Sequence, residues 1–282
     1  MSLVPHGFDV LSSGLENAAL TTVENIPAWK YFEETTAWLP PAYLNGKSIV
    51  QEIIVTTEAA KALERNTRQQ AKSAAWQKER KLRLTSSKFW HVMKRKSPWT
   101  TKGLENITAS RELSRVPAVN YGVKMEAVAA QRYEDVLRKM GHAPVVTSCG
   151  LLVNPDFPWL GASPDRIVYD SVEGSYGAVE IKCPYSLRDC KAHELLAADF
   201  CSSLIDNVPH LKRDHDYFYQ FSGQMGISQL GWGDFLVLGR HFILIERLRF
   251  EPTEWKNVRR VLDEFYLLHY TFAISLWRLS LR

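Results

Sequence analysis

No stretch of about 18 consecutive apolar residues occurs in the 282 residues, so no membrane-crossing helix is expected. The N-terminus has no basic segment followed by an apolar run, so no secretory leader is expected either. Cysteine is scarce, with only Cys149, Cys183, Cys190 and Cys201. None forms a C-x-x-C pair and no Cys/His spacing suits structural zinc. These absences exclude a disulfide scaffold and a zinc ribbon, and they fit reduced thiols in an intracellular protein. Internal repeats and low-complexity segments are lacking too. A large charge excess is also missing: 35 Lys and Arg stand against 31 Asp and Glu, a formal net charge of +4. Such a surplus permits a nucleic-acid partner without requiring one. Lys94-Arg95-Lys96 is too short to serve as a nuclear address, so the nucleus stays open as a compartment.

What is present is ordinary globular composition, 45% hydrophobic and 23% charged. That suffices for one large domain, or a core with a small accessory region. Residues 1–55 carry Pro27, Pro40 and Pro41 and no long period, and read as an extension or small subdomain. Residues 56–282 read as the main domain. A polar helix is expected from 58 to about 80, with Thr56 and Thr57 as N-caps. A short helix should follow from 88 to about 95, capped by Thr85, Ser86 or Ser87, with an N-terminus able to receive an anion. Residues 119–140 form the clearest helix, with Val119, Val123, Ala130, Tyr133 and Leu137 on one face. Glu126 falls on that apolar stripe, where a carboxylate must be paired, metal-bound or facing a cleft.

From residue 148 the pattern turns to short strands, expected at 151–153, 160–163, 167–169 and 178–183, with a turn over 171–177. A helix is expected over 216–228, strands over 235–238 and 242–250, and a last helix from Pro252 to about Trp277. This mixture predicts an α/β (α+β) fold with a central mixed sheet flanked by helices.

Glu180 and Lys182 lie two residues apart on an expected strand and point to one face. Asp165 follows a proline at a strand kink. Converging carboxylates make a hard-oxygen site suited to Mg²⁺ or Mn²⁺. A neighbouring lysine can meet charge developing on a phosphate or position a water. An isolated Glu-x-Lys pair is more often a salt bridge along a strand, and the spacing by itself does not choose between the two.

The motifs resemble, in order, those of the PD-(D/E)XK nucleases, and more narrowly the YqaJ-type viral recombinases that include phage lambda exonuclease. Trp76 and Arg80 with Leu84-Thr85-Ser86-Ser87 are similar to the opening element of that family, and Gly122 to Glu126 to its acidic helix. Gly161-Ala162-Ser163-Pro164-Asp165 and Val179-Glu180-Ile181-Lys182 resemble its two core motifs. Tyr217 to Met225 is similar to its glutamine helix, and the wording is nearest the animal members. The resemblance spans roughly residues 60–270.

It implies a restriction-endonuclease-like core and a Mg²⁺-dependent exonuclease degrading one strand of duplex DNA from its 5′ end, with Mn²⁺ as a substitute. Asp165, Glu180 and the Ile181 carbonyl would hold metal, and Glu126 would join them, often through water. Lys182 would position the attacking water. Arg80, Ser87 and Ser163 would grip a 5′-phosphate. Gln220 would face the active site and Gln224 would support it among the DNA-binding residues. Implied partners are double-stranded DNA ends and a single-strand annealing protein, with the oligomeric state open. Two positions depart from the family pattern: Arg166 replaces a usual glycine, and Ser222 a common second glutamine. Two other readings stand beside the exonuclease, a structure-specific endonuclease of the same fold and a catalytically silent DNA-binding scaffold. Trp76, Trp90 and Trp99 lie among Lys78, Arg80, Lys81, Lys88, Lys94 and Arg95. They read either as rings stacking on bases or as core tryptophans beside a basic face.

Overall fold

The computed structural model describes residues 8–10, 26–29, 48–109, 113, 115–198, 200–206 and 208–279. The expectations for Pro40 and Pro41 lie outside them. In chain order the strands are β1 (Phe8–Val10), β2 (Leu84–Thr85), β3 (Val145–Ser148), β4 (Leu160–Gly161), β5 (Arg166–Asp170), β6 (Ser175–Lys182), β7 (Ser202–Ile205), β8 (Val208–Leu211), β9 (Trp232–Leu238) and β10 (Ile243–Arg249). The helices are α1 (Ser48–Ile53), α2 (Thr57–Asn66), α3 (Ala74–Lys81), α4 (Phe89–Met93), α5 (Thr101–Thr108), α6 (Pro117–Lys139), α7 (Ala192–Ala197), α8 (Asp216–Ser228), α9 (Pro252–Phe265) and α10 (Thr271–Leu279). Among the described residues no helix is long and apolar enough to cross a membrane.

A six-stranded sheet runs β1-β10-β9-β6-β5-β3. All its pairs are antiparallel except β6 with β9, so the sheet is mixed. The parallel pair needs a long crossover, and residues 183–231, ending in α8, provide it. Being interior, β6 is covered on both faces. Val179 and Ile181 join Ala129, Tyr133, Val136 and Leu137 of α6, while Ala178 packs with Phe218, Phe221 and Met225 of α8. Glu180 and Lys182 share the parity of Ala178 and therefore face α8.

Helix α8 is pinned closely from its far side. A Cβ on Gly223 would sit 2.4 Å from the Phe89 ring, and one on Gly226 2.4 Å from the Trp255 ring. Only glycine admits α4 and α9 at that distance.

Several expected elements differ. The single helix over 58–80 is broken into α2, a 3-10 turn (Gln70–Lys72) and α3. The Thr67 hydroxyl donates to the carbonyls of Leu63 and Glu64, Gln70 takes a positive φ of 45°, and Ser73 recaps α3 by accepting from Trp76 N–H. Glu64, within that polar segment, is buried and accepts from the Gly150 amide. Thr56 does cap α2. The hydroxyls of residues 85–87 make no cap, and a 3-10 turn (Ser86–Lys88) leads into α4. Residues 151–153 form only a bridge at Leu152. The last helix is split by a π turn (Tyr266–Tyr270), where the Tyr266 and Tyr270 hydroxyls donate to the carbonyls of Leu82 and Arg83. Val119 and Val123 are exposed, because α6 is buried only from Ala129 onward. Helices α5 and α7 and the β7–β8 hairpin were not expected at all.

On the α6 face of the sheet lies a buried ionic network. Arg247 donates to Asp234 at 2.7 and 2.8 Å and to Asp170 at 2.7 Å; the Tyr133 hydroxyl donates to Asp234 at 2.6 Å. His142 Nδ1 lies 2.8 Å from Asp170. Burial alone would raise the Asp170 carboxyl, but hydrogen bonds from His142 and Arg247 hold it down at about 2. Its stabilisation is therefore present above pH 4 and is lost as pH falls toward 2. Arg247→Met leaves Asp170 and Asp234 without their shared guanidinium and should cost about 3–5 kcal/mol in urea unfolding. A loss below about 1 kcal/mol would mean the network does not clamp α6 to the sheet.

Candidate active site

Asp165 is placed by the turn before β5. Its Oδ2 accepts the Ile181 amide at 2.7 Å, tying the turn to the end of β6. The preceding carbonyl, Pro164, accepts from Gln70 Nε2 at 3.0 Å, as does Cys149. The kink between α2 and α3 thus braces the Asp165 turn.

Glu180 is buried and saturated with donors. Lys182 Nζ and Gln220 Nε2 reach Oε1 at 2.6 Å each, and Gln224 Nε2 reaches Oε2 at 2.7 Å. The salt-bridge reading of Glu180 and Lys182 is therefore realised in the free protein, beside the other acids rather than away from them. Lys182 Nζ also lies 4.4 Å over the Tyr217 ring and 3.3 Å from Gln220 Oε1. Burial would depress the Lys182 ammonium, but Glu180 and Asp165 beside it hold it above the usual lysine range. Asp165 moves the other way: burial first, then the Glu180 charge, push its carboxyl well up, against the pull of Lys182. Burial also pushes the Cys183 thiol up to about 12, so it is no thiolate nucleophile.

Glu126 was expected on a buried helix face. Its side chain is instead 36% exposed, at the start of the buried part of α6, and it accepts from Arg166 Nη1 at 2.6 Å. Gln224, grouped in the sequence reading with DNA-binding residues, is fully buried under Glu180 and touches no surface. Among the described residues, no group of three or more His, Cys, Asp or Glu side chains is drawn tightly enough to hold a metal ion.

A second cluster adjoins the first through Ser163-Pro164-Asp165. Trp76 Nε1 donates to Ser163 Oγ at 2.9 Å, Arg80 lies 4.1 Å over the Trp76 ring, and Arg80 Nη2 is 3.5 Å from Ser87 Oγ. Arg80, Ser87 and Ser163 thus come together. Burial lowers Arg80 to about 10 and, with Arg80 beside it, Lys88 to about 8. Trp90 stacks on Tyr219 and Trp99 packs at a tilt against Phe265, each with a cation above it.

The profile of the YqaJ-like viral recombinase domain matches residues 75–230, more than half of the chain. The chain belongs to this family. No curated protein matches it. Among solved structures, the YqaJ-like chain is similar to LHK-Exo, an alkaline exonuclease from Laribacter hongkongensis, at 20% identity and TM-score 0.50, covering 70% of this chain and 92% of that one. It is also similar to the shutoff and exonuclease protein of Kaposi's sarcoma associated herpesvirus, at 12% identity and TM-score 0.50, covering 77% and 73%. The SOX–RNA complex of that virus aligns at 12% identity and TM-score 0.54, covering 82% and 77%. At these identities the likeness is one of fold, restriction-endonuclease-like with a central mixed sheet.

Three contributors have no site role assigned from the sequence. Tyr217 had a signal, since it precedes Gln220 by three residues and so shares its helix face. Lys88 sat in the basic segment without a distinguishing mark. Gln70 carried none, because its contact depends on the kink. The Asp165 environment has a measurable consequence. Its carboxyl is raised in the folded chain, so the charged form opposes folding as pH rises above 4. Asp165→Asn should raise the metal-free melting midpoint by a few degrees at pH 8 in calorimetry. A lower midpoint would show that the carboxylate stabilises the fold.

Proposed function

We propose that the chain is a metal-dependent deoxyribonuclease, a 5′-to-3′ exonuclease that hydrolyses one strand of linear double-stranded DNA in recombination or end resection. The observation that carries this reading is Asp165 docked on the Ile181 amide beside Glu180 and Lys182. It lies one turn of chain from the cluster of Arg80, Ser87 and Ser163. Family membership and the alkaline-exonuclease fold of the neighbours support it.

The residues fit Mg²⁺, with Mn²⁺ as a substitute. A raised, half-buried Asp165 beside Glu180 favours a compensating cation. Magnesium commonly uses one or two carboxylates plus substrate phosphate, so a closed protein cage is not required. Asp165, Glu180 and the Ile181 carbonyl would hold it, with Glu126 behind a water. When bound, the ion lowers the pKa of a water and polarises the phosphoryl group. Lys182, kept protonated by its acidic neighbours, orients that water and meets charge growing on the phosphate instead of removing a proton. Gln220 steers Lys182 and Glu180, and Gln224 anchors Glu180 from below.

At the neighbouring cluster, Ser163 Oγ accepts from Trp76 and so turns its own proton toward an incoming anion. Arg80 supplies the charge for a 5′-phosphate. A single-strand annealing protein is the partner class that would take the strand left behind.

End-labelled linear duplex should be digested with Mg²⁺ and spared with chelator, whereas supercoiled circles stay intact. Arg80→Ala should cut the preference for a 5′-phosphate about tenfold or more. Linearised circles would favour the endonuclease reading, and end binding without turnover the silent scaffold. Lys88 is charged below about pH 8. The 5′-phosphate preference should therefore fall as pH rises through 8, and Lys88→Met should flatten that fall.

A further inference from the structure

Arg166 follows Asp165 directly and opens β5. Its Nη1 donates to Glu126 Oε1 at 2.6 Å and to the Asp165 carbonyl at 2.5 Å. The two side chains are 19% and 36% exposed, so the pair is half-hidden. The backbone contact fixes the guanidinium beside Asp165, unlike a loose surface ion pair.

The acids and cations of the site pair off: Glu126 with Arg166 and Glu180 with Lys182, while Asp165 takes the Ile181 amide. Arg166 thus adds a cation directly beside the Glu126 carboxylate. The set attracts a divalent ion less strongly for it, and the Glu126 oxygen nearest Arg166 is already engaged.

We infer that Arg166 is a built-in cation that occupies the Glu126 side of the site, so that this chain works with a single divalent ion. This rests on the metal-dependent reading above. The ion belongs to Asp165 and Glu180, and Arg166 supplies the second positive charge to the substrate phosphate. Both observed contacts go through Nη1, so Nη2 and Nε present their N–H groups to a phosphodiester oxygen. Arg166 is thus a specificity-determining residue for the number of ions held.

The test is a Mn²⁺ titration of the full chain without DNA, followed by electron paramagnetic resonance of the free ion. It compares the parent with Arg166→Gly, Arg166→Gln, Arg166→Gln combined with Glu126→Gln, and Asp165→Asn. The glutamine variant keeps side-chain bulk in case glycine loosens β5. One ion per parent chain is expected. Both Arg166 variants should bind a second ion, or the first about tenfold more tightly. That gain should vanish when Glu126 is also replaced, and Asp165→Asn should abolish binding. Equal affinity and stoichiometry in parent and Arg166→Gln, with binding still dependent on Asp165, overturns this inference alone. So does a parent that binds two ions, or a gain that survives loss of Glu126. No binding in parent or Arg166 variants removes the metal reading and this inference together.

Discussion

Like charges brought together at the end of a buried strand set the main constraint on this structure. Asp165, Glu180 and Glu126 lie within each other's electrostatic reach, and burial sharpens the repulsion. Each is answered differently. Glu180 receives an ammonium and two amide donors. Glu126 receives a guanidinium. Among the described residues Asp165 accepts one backbone N–H, and despite the nearby Lys182 its carboxyl stays raised. The least compensated acid is therefore the one at the tip of the kinked turn, where an incoming cation finds the largest gain.

The frame around that site exists to keep those partners in place. Glycines in α8 let α4 and α9 press against it, which holds Gln220 and Gln224 against Glu180. The break between α2 and α3 turns Gln70 onto the Pro164 carbonyl, and α3 then delivers Trp76 to Ser163. On the other face, Arg247 joins Asp170 to Asp234, and Tyr133 of α6 adds to Asp234. Buried ion pairs of this kind seldom add much net stability, but they penalise any other register of β5, β9 and β10.

Much of the fold was legible because its elements have strong periods. The helix over 216–228 and the strands around 167, 180, 236 and 246 appear where alternation or helical spacing placed them. The polar segment over 58–80 was misread because Thr67 and Gln70 break a helix only through contacts with residues near 150 and 164. The buried stripe on α6 was overextended because periodicity marks a face but not how far the sheet reaches beneath it. That error put Glu126 on a buried face; of the options for a carboxylate there, the structure shows the paired one, with Arg166.

The sequence by itself determined the family, the mixed α/β class, and the shared face of Glu180 and Lys182, since a strand's two-residue period leaves no other choice. Ordered motifs also named Asp165, Ile181, Gln220, Arg80, Ser87 and Ser163 before any coordinates. Only the tertiary structure decided that the expected salt bridge and the acidic cluster are one object. It also decided that Gln224 is fully buried beneath Glu180, and that Arg166 takes the side of the site nearest Glu126. Those facts depend on distances between segments tens of residues apart. Such distances arise from packing of whole layers, which no local pattern encodes.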